Sequence, residues 1–455
     1  VEALGYVEGE FSFPLMTPQE ERLSLENHLK IFGEAVKTVT LPPTELEKER
    51  CANIVAQMME VNAFVPDEDY DQPSGILNVI HSSIIGSEKS SGYPYVEQGL
   101  PTNGQVLAKF GEKGFAQHVI NEWYNTYVLK IFGKGEPTKK KKIQLGRPRI
   151  VVGMPLHATV KHASVLKNFM FSLVKNWKKS PVKYAFSPAN PGHLEHLKEV
   201  LSGEVCESDK ETFDFVFQEW FADVDVRVVN KLALRHPNWS QEQFTKYKDD
   251  VRLCFEQVFT NSVYRTSDGT QYVMKQKGIM KSGWWGTIGF NSISQVVIHV
   301  MVMMRLGYSD DDIIAMPIVA GGDDVNQDLQ GVDKERYTAE AQKLGVKTEI
   351  HVREDLEHSE YFSSDIRRGK DGLEFHPKRW TKHIEHLKTV KKEFLADALC
   401  SHMENYRHNE AKFMLFENMY HKMKSSDPGL FPVNKLKSRD FLLAKQYGYE
   451  HALWA

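Results

Sequence analysis

Cysteine is scarce in this chain: Cys51, Cys206, Cys254 and Cys400 are the only four in 455 residues, and they show no metal-ligand spacing. That excludes a disulfide framework and a cysteine-based zinc module, and it suits a reducing compartment such as the cytosol. No stretch reads as the ~20 apolar residues of a membrane span and no cleavable leader is visible, so the expectation is a chain without a membrane anchor of its own. An excess of positive charge is missing too. The 57 Lys and Arg against 61 Asp and Glu leave a formal net charge of -4, which is not that of a generic nucleic-acid binder and allows only a locally basic channel in an acidic molecule. There is no internal repeat and no low-complexity block. What is present is enough chain and enough apolar residues (41%) to bury a substantial core in roughly two to four domain-sized units. The first residue is Val and not Met, from which release from a longer precursor is expected.

Three short patterns follow one another in this sequence. Asp209 and Asp214 lie in SDKETFD; Ser282 and Gly283 precede Thr287 and Asn291 at fixed spacing; Gly321-Gly322-Asp323-Asp324 comes last. Each is weak alone, since short motifs arise by chance. Their order and spacing carry the signal: 73 residues from Asp209 to Ser282 and 41 from Ser282 to Asp323 leave room for a strand, a helix and an inserted subdomain between them.

Carboxylates converging from separate segments are what in-line displacement at phosphorus requires. Two divalent ions about 3.5 to 4 Å apart stabilise the attacking and leaving oxygens, and hard ions such as Mg2+ take oxygen ligands. GEVCES predicts a strand that ends at Asp209. MPIVA and VNQD predict two strands joined by a tight turn, which Gly321 and Gly322 suit because glycine accepts backbone conformations other residues resist. Downstream of Thr287, Ile288, Val296, Val297, Val300, Met301 and Met304 recur largely at helical spacing and read as core. Ser282, Thr287 and Asn291 sit at the start of that helix, where they would meet Asp214 and a ribose. A carboxylate with an amide can read a 2′-hydroxyl, which is both donor and acceptor.

In these motifs the chain resembles the RNA-dependent RNA polymerases of positive-strand RNA viruses, with DKETFD, SGWWGTIGFN and GGDD matching motifs A, B and C. SSGYP, Ser90 to Pro94, resembles motif G at the template entrance. KGEPTKKKKIQLGRPRI, Lys134 to Ile150, resembles motif F. DKERYTAEAQKLG followed by VKTEIHV suits motif D, and EYFSSD, Glu360 to Asp365, resembles the primer-grip motif E. The style of these motifs leans toward the sobemovirus and polerovirus side of the group.

The resemblance implies roles residue by residue. Asp209 and Asp323 would be the primary ligands of two Mg2+ or Mn2+ ions, with Asp324 a weaker third. Asp214 and Asn291, assisted by Ser282 and Thr287, would select the ribose. Arg149 would lie over the incoming nucleotide, Lys134, Lys139 and Arg147 would neutralise phosphate, and Glu136 would tie the basic loop in place through an ion pair. Lys347 and Arg353 compete as the general acid of motif D. Ser91, Gly92 and Pro94 would line the template entrance, and Tyr361, Phe362 and Ser363 the primer grip. Trp284 and Trp285 are bulkier than the motif B pattern; either both pack beneath the loop, the reading favoured, or one stacks on template or product.

The fold implied is α+β, a right-hand polymerase with an antiparallel palm sheet backed by helices. Fingers would occupy 1–203 and an insertion at 226–280, palm 204–225 and 281–380, and a helical thumb 381–455. The proline-flanked segment VTLPPTELEKE and the helix after it would bridge fingers to thumb and close the hand. Implied partners are a single-stranded RNA template, the nascent duplex, nucleoside triphosphates, and other replication proteins such as a genome-linked protein. The implied location is the host cytoplasm, in membrane-associated replication complexes reached through partners. Two alternatives remain open at this level: a catalytically inactive palm serving as an RNA-binding scaffold, and a reverse transcriptase. Asp214 argues against the latter, because DNA-making palms generally keep a bulky residue there.

Overall fold

The spans around the three aspartates do form strands. In the computed structural model, which describes residues 2–447, Val205–Asp209 ends on its aspartate, and Ile318–Gly321 and Asp324–Gln327 form a hairpin. With Glu349–Arg353 they make one sheet, ordered Glu349–Arg353, Val205–Asp209, Asp324–Gln327, Ile318–Gly321, antiparallel at every step. The hairpin loop is two residues long, and Gly322 at its first central position has φ +64, the left-handed backbone that primed hairpin turns require. Gly321 is glycine for a different reason. A Cβ there would stand 2.4 Å from Cζ of Phe362, so the aromatic ring rests directly on the hairpin backbone.

Behind the sheet runs the helix Thr287–Arg305, almost wholly buried from Gly289 to Met304. It packs against the first hairpin strand, Ile318–Gly321, and against the helices Glu45–Met58 and Glu219–Leu232. This helix corrects the expectation about membrane spans: by length and hydropathy (19 residues, 1.4) it is apolar enough to cross a bilayer, yet 89% of its apolar window is buried inside the molecule. A long, predominantly apolar helix is the signature of a core element as well as of a membrane one. Its end is tied to the N-terminal half, where Glu47, the acidic partner in the capping box of helix Glu45–Met58, accepts from Arg305 Nε at 2.9 Å.

A second four-stranded sheet, ordered Ile150–Gly153, Val128–Gly133, Val263–Arg265, Gln271–Val273, carries the basic loop between its first two members in sequence. The C-terminal helices Trp380–Leu387, Leu395–Asn405, Glu410–Ser426 and Arg439–Tyr447 gather around a separate apolar cluster that includes Trp380, Leu399, Phe413, Phe416 and Tyr420.

The link between the basic loop and this helical region is not made by the segment the sequence pointed to. Thr40 and Leu41 bond through their N–H groups to the carbonyl of Lys343, and helix Glu45–Met58 lies against the core helices. Residues 6–12 make the link instead. Tyr6 hydroxyl bonds Glu385, Val7 N donates to Thr381 Oγ1 at 3.2 Å, and Phe11–Ser12 pairs antiparallel with Thr138–Lys139 of the basic loop. Proline flanks marked the first segment as extended, but its own helix has an apolar face that the core claims.

Because Phe362 and the hairpin are in contact at Gly321, Gly321→Ala is expected to destabilise the protein by roughly 1 to 3 kcal/mol, the range for overpacking a filled interior. Thermal unfolding of the variant checks this; an unchanged midpoint would show that Phe362 swings aside freely.

Candidate active site

The ladder brings the aspartates together. Ser208 is paired with Val325, so continuing the register by one residue sets Asp209 beside Asp324, with Asp323 next in the turn. On its other side Asp209 pairs with Glu349. Asp209 and Asp323 remain accessible to solvent, while Asp214 and Asp324 are half-buried. No ion pair among the described residues reaches any of the four aspartates. Each therefore feels the surrounding protein and its neighbours: Asp324 is pushed up to about 6 by burial and then by Asp323 and Glu360, and Asp214 to about 6 by burial and then by Asp323. Asp323, though open to solvent on one side, is raised chiefly by the protein crowded around its carboxylate, with Arg149 opposing the shift and Asp209 adding to it.

Asp214 meets the amide expected for it. Asn291 Nδ2 donates to Asp214 Oδ1 at 2.8 Å, one turn into the core helix. Ser282 and Thr287 do other work. Ser282 Oγ accepts from Val152 N at 3.2 Å and Gly283 N donates to Val152 O at 3.0 Å, bolting the loop to the strand that follows Arg149. Thr287 Oγ1 donates to the carbonyls of Lys281 and Trp284 at 2.7 and 2.8 Å, closing the loop on itself. Trp284 packs beneath the loop as expected, stacked on Phe290 with its Nε1–H bonded to His162 Nδ1.

On the basic side, Glu136 is the hub. Its carboxylate lies 3.3 Å from both Lys134 Nζ and Arg149 Nη1, and 3.4 Å from Lys382 of the first C-terminal helix, a partner that no motif named. Those cations hold the Glu136 carboxyl below its ordinary value in spite of burial. Arg149 and Arg379 both bear electrostatically on Asp323, and Arg379 on Asp324 as well. Arg379 lies outside every recognised motif, and its only sequence signal is a basic residue shortly after EYFSSD. Lys139 is exposed on the short strand that pairs with Phe11–Ser12, and Arg147 is half-exposed with its N–H bonded to the Lys142 carbonyl at 2.9 Å.

Of the two candidate acids, Arg353 is engaged with Glu207 at 2.9 Å and sits opposite Val205, at the far end of the strand from Asp209. Lys347 is exposed two residues before Glu349, the residue paired with Asp209. The geometry thus puts Lys347 nearer the aspartates.

Phe362 and Ser363 form a two-residue loop between Tyr361 and Ser364 with φ of +51 and +54, a backbone that non-glycine residues adopt at a cost. Ser91, Gly92 and Pro94 form a loop packed on the start of helix Leu156–Lys175: Leu156 N donates to Ser91 O at 2.9 Å, and a Cβ on Gly92 would meet Met154 O at 2.6 Å. Two residues missed entirely hold the aspartate turn from behind. Ser292 Oγ accepts from Gly322 N at 2.7 Å, and Gln295 Nε2 donates to Asp323 O at 3.3 Å. Both were hidden inside a run read as core.

The donor set suits a hard cation: every candidate ligand is a carboxylate oxygen, the neighbouring carboxylates raise the proton affinity of Asp323 and Asp324, and no cation pairs with them directly. Among the described residues, however, no three such side chains converge closely enough to form a ready-made cage. The residues fit a divalent ion by chemistry and charge, with closure left to binding.

Comparison with known proteins defines the class first. The family model described as viral RNA-directed RNA-polymerase matches residues 223–370, which contain Ser282, Asn291, Asp323 and Asp324 but not Asp209 or Asp214. In that stretch the chain is similar to viral RNA-directed RNA polymerases. Among individual proteins it is 26% identical over 295 residues to Protein P1-P2 of Potato leafroll virus, covering 57% of this chain and 26% of that protein. It is 23% identical over 358 residues to Protein P1-P2 of Turnip yellows virus, covering 69% and 34%. It is 24% identical over 257 residues to the RNA-directed RNA polymerase of Mushroom bacilliform virus, covering 51% and 59%. The match thus spans about a quarter to a third of each P1-P2 protein, and the polerovirus leaning of the motifs agrees with these relatives.

A carboxyl whose proton affinity is raised by folding weakens the folded state as pH climbs from the unfolded value near 4 through the folded value near 6. Asp324→Asn should therefore stabilise the metal-free protein at pH 7.5 by on the order of 1 to 2 kcal/mol, with the gain vanishing at pH 4. Melting curves in chelator at both pH values check this, and an equal shift at both would count against it.

Proposed function

We propose that this chain is an RNA-templated RNA polymerase that extends a 3′-hydroxyl with ribonucleoside triphosphates and releases pyrophosphate. The observation that carries the reading is the placement of Asp209 beside Asp324 at one sheet end, Asp323 in the adjoining turn, with the Asp214–Asn291 pair nearby. The family match supports it.

In this reading Asp209 and Asp323, with Asp324 in support, hold two Mg2+ or Mn2+ ions. When bound, these stabilise charge on the attacking and leaving oxygens. The chain's own residues supply position and charge, which is where catalysis of phosphoryl transfer mostly comes from. Asn291 fixes Asp214 by one oxygen, leaving the other to accept from a ribose 2′-hydroxyl. Arg149, oriented by Glu136, faces the triphosphate together with Lys134, Lys139 and Arg147, and Arg379 adds positive charge on the other flank. Lys347 is the better placed donor of a proton to the departing pyrophosphate. Phe362 and its loop, set against the hairpin, support the primer end, and Ser91, Gly92 and Pro94 guide the template.

The remaining expectations fit this frame. Residues 1–203 and 226–280 serve as fingers, 204–225 and 281–380 as palm, 381 onward as thumb, with residues 4–12 and the Glu136–Lys382 pair closing the hand. Template, nascent duplex and other replication proteins are the partners, met in cytoplasmic replication complexes.

Labelled nucleotide incorporation by purified protein on single-stranded RNA, with and without primer and in Mg2+ or Mn2+, tests the reading. Asp323→Ala should abolish template-dependent product while the protein stays folded; near-normal turnover would overturn the assignment. Asp214→Ala or Asn291→Ala should lower discrimination of GTP over dGTP by about 10- to 100-fold, the loss of one or two hydrogen bonds to the sugar. Unchanged selectivity would remove both residues from that role.

A further inference from the structure

The layer between the four-stranded sheet and the helix behind it is polar where an apolar interior is the default. Gln295 and His299 follow Asn291 at i+4 and i+8, so the three share one face of the helix, and both are about 1% exposed. Gln295 reaches the carbonyl of Asp323, and His299 Nδ1 lies 3.2 Å from the Tyr337 hydroxyl on helix Lys334–Lys343. From the sheet, Gln327 contributes a side chain that is also 1% exposed. From the loop after Asp209, Lys210 turns back into the protein, is only 6% exposed, and donates to Ser208 Oγ at 2.9 Å. Burial, with the charge of nearby Lys210 adding to it, holds the His299 imidazole down at about 3.

This layer is under-satisfied in a concerted way. Gln295 Oε1 and His299 Nε2 have no hydrogen-bond partner, neither does Asn291 Oδ1 at the head of the row, and the Gln327 amide meets only the Tyr337 hydroxyl, outside good hydrogen-bond geometry. The Lys210 amino group, a donor in either protonation state, is bonded to one hydroxyl. Each buried polar atom left unpaired costs about 1 to 3 kcal/mol, and such atoms in proteins nearly always find a partner. Here donors and acceptors face a common region from the catalytic strand, the hairpin strand and the helix. That is the setting in which internal waters, each making about three hydrogen bonds, become part of a structure. A metal ion suits the layer poorly, because Lys210 and neutral amides surround it with no carboxylate.

We propose that this layer is a built-in water site in which bound water joins Lys210 and His299 to Gln295 and Gln327, making Lys210 a positioning residue for the loop between Asp209 and Asp214. The functional half of this rests on the polymerase reading; the water site itself does not. The chemistry runs through geometry alone. Asp209 and Asp214 flank Lys210 in sequence, while Asn291 and the bond to Asp323 belong to the helix across the layer, so the water layer sets the distance between the two halves of the site.

The test has two arms. The first is a high-resolution crystal structure of the wild-type chain, which should show ordered water within hydrogen-bond distance of Gln295 Oε1, His299 Nε2 and Gln327. Direct side-chain bonds that satisfy all of these atoms without water would overturn the proposal. The second compares Lys210→Met, of similar length but without donors, with Lys210→Gln, which keeps donors. Lys210→Met should lower kcat about 10- to 100-fold, as a small misplacement of reacting groups does, with KM for nucleotide little changed, and Lys210→Gln should recover part of that loss. Wild-type-like kcat in Lys210→Met, or equal losses in both variants, would overturn the positioning role. A wild-type chain that incorporates no nucleotide would instead reject the polymerase reading, and the crystal structure would still decide the water site.

Discussion

Like charges held close together are the constraint around which this molecule is arranged. Asp209, Asp323 and Asp324 share one sheet end and Asp214 stands near them, each without an ion pair among the described residues. Such a cluster is stable only if the backbone that carries it is held firmly. The antiparallel ladder does this from the side, Ser292 and Gln295 from behind, and Phe362 from in front against the bare backbone of Gly321. The strained loop at Phe362 and Ser363 belongs to the same arrangement, since a local cost persists where the surroundings over-determine it.

The helix Thr287–Arg305 is the common element. One of its faces reads Asp214 through Asn291, supports the aspartate turn through Ser292 and Gln295, and meets helix Lys334–Lys343 through His299. A rigid rod with contacts to three chain segments fixes their mutual distances better than separate loops would. The cost is a polar face inside an otherwise apolar helix, and it is paid for where unpartnered atoms collect. Glu136 plays the corresponding role on the basic side, since one carboxylate gathers Lys134, Arg149 and Lys382 from regions far apart in sequence.

Much of the sheet was legible because its signals are local. A strand ending at Asp209 and a glycine-turned hairpin before Asp324 are written in consecutive residues, and both occur as read. The pairing of Asp214 with Asn291 was also anticipated, through motif spacing. Ser282 and Thr287 were read as polar groups facing a ribose; in the structure Ser282 accepts from the backbone of strand Ile150–Gly153 and Thr287 bonds carbonyls of its own loop. A hydroxyl next to a tight loop has backbone partners within reach, and residue type does not say which one it takes. Arg379 and Lys382 could not be singled out, because a lone basic residue looks the same whether it faces solvent or a carboxylate.

The amino-acid sequence by itself determined which residues bear charge, where strands begin and end around the aspartates, and that one long segment must be buried. These follow from backbone preference and hydrophobicity over a few neighbouring residues. Only the tertiary structure decided which strands lie side by side, that the N-terminal residues and not the proline-flanked segment reach the C-terminal helices, and which cations face the aspartates. Those outcomes depend on contacts between residues hundreds of positions apart, such as Glu136 with Lys382 or Tyr6 with Glu385, whose formation is set by the packing of the whole chain.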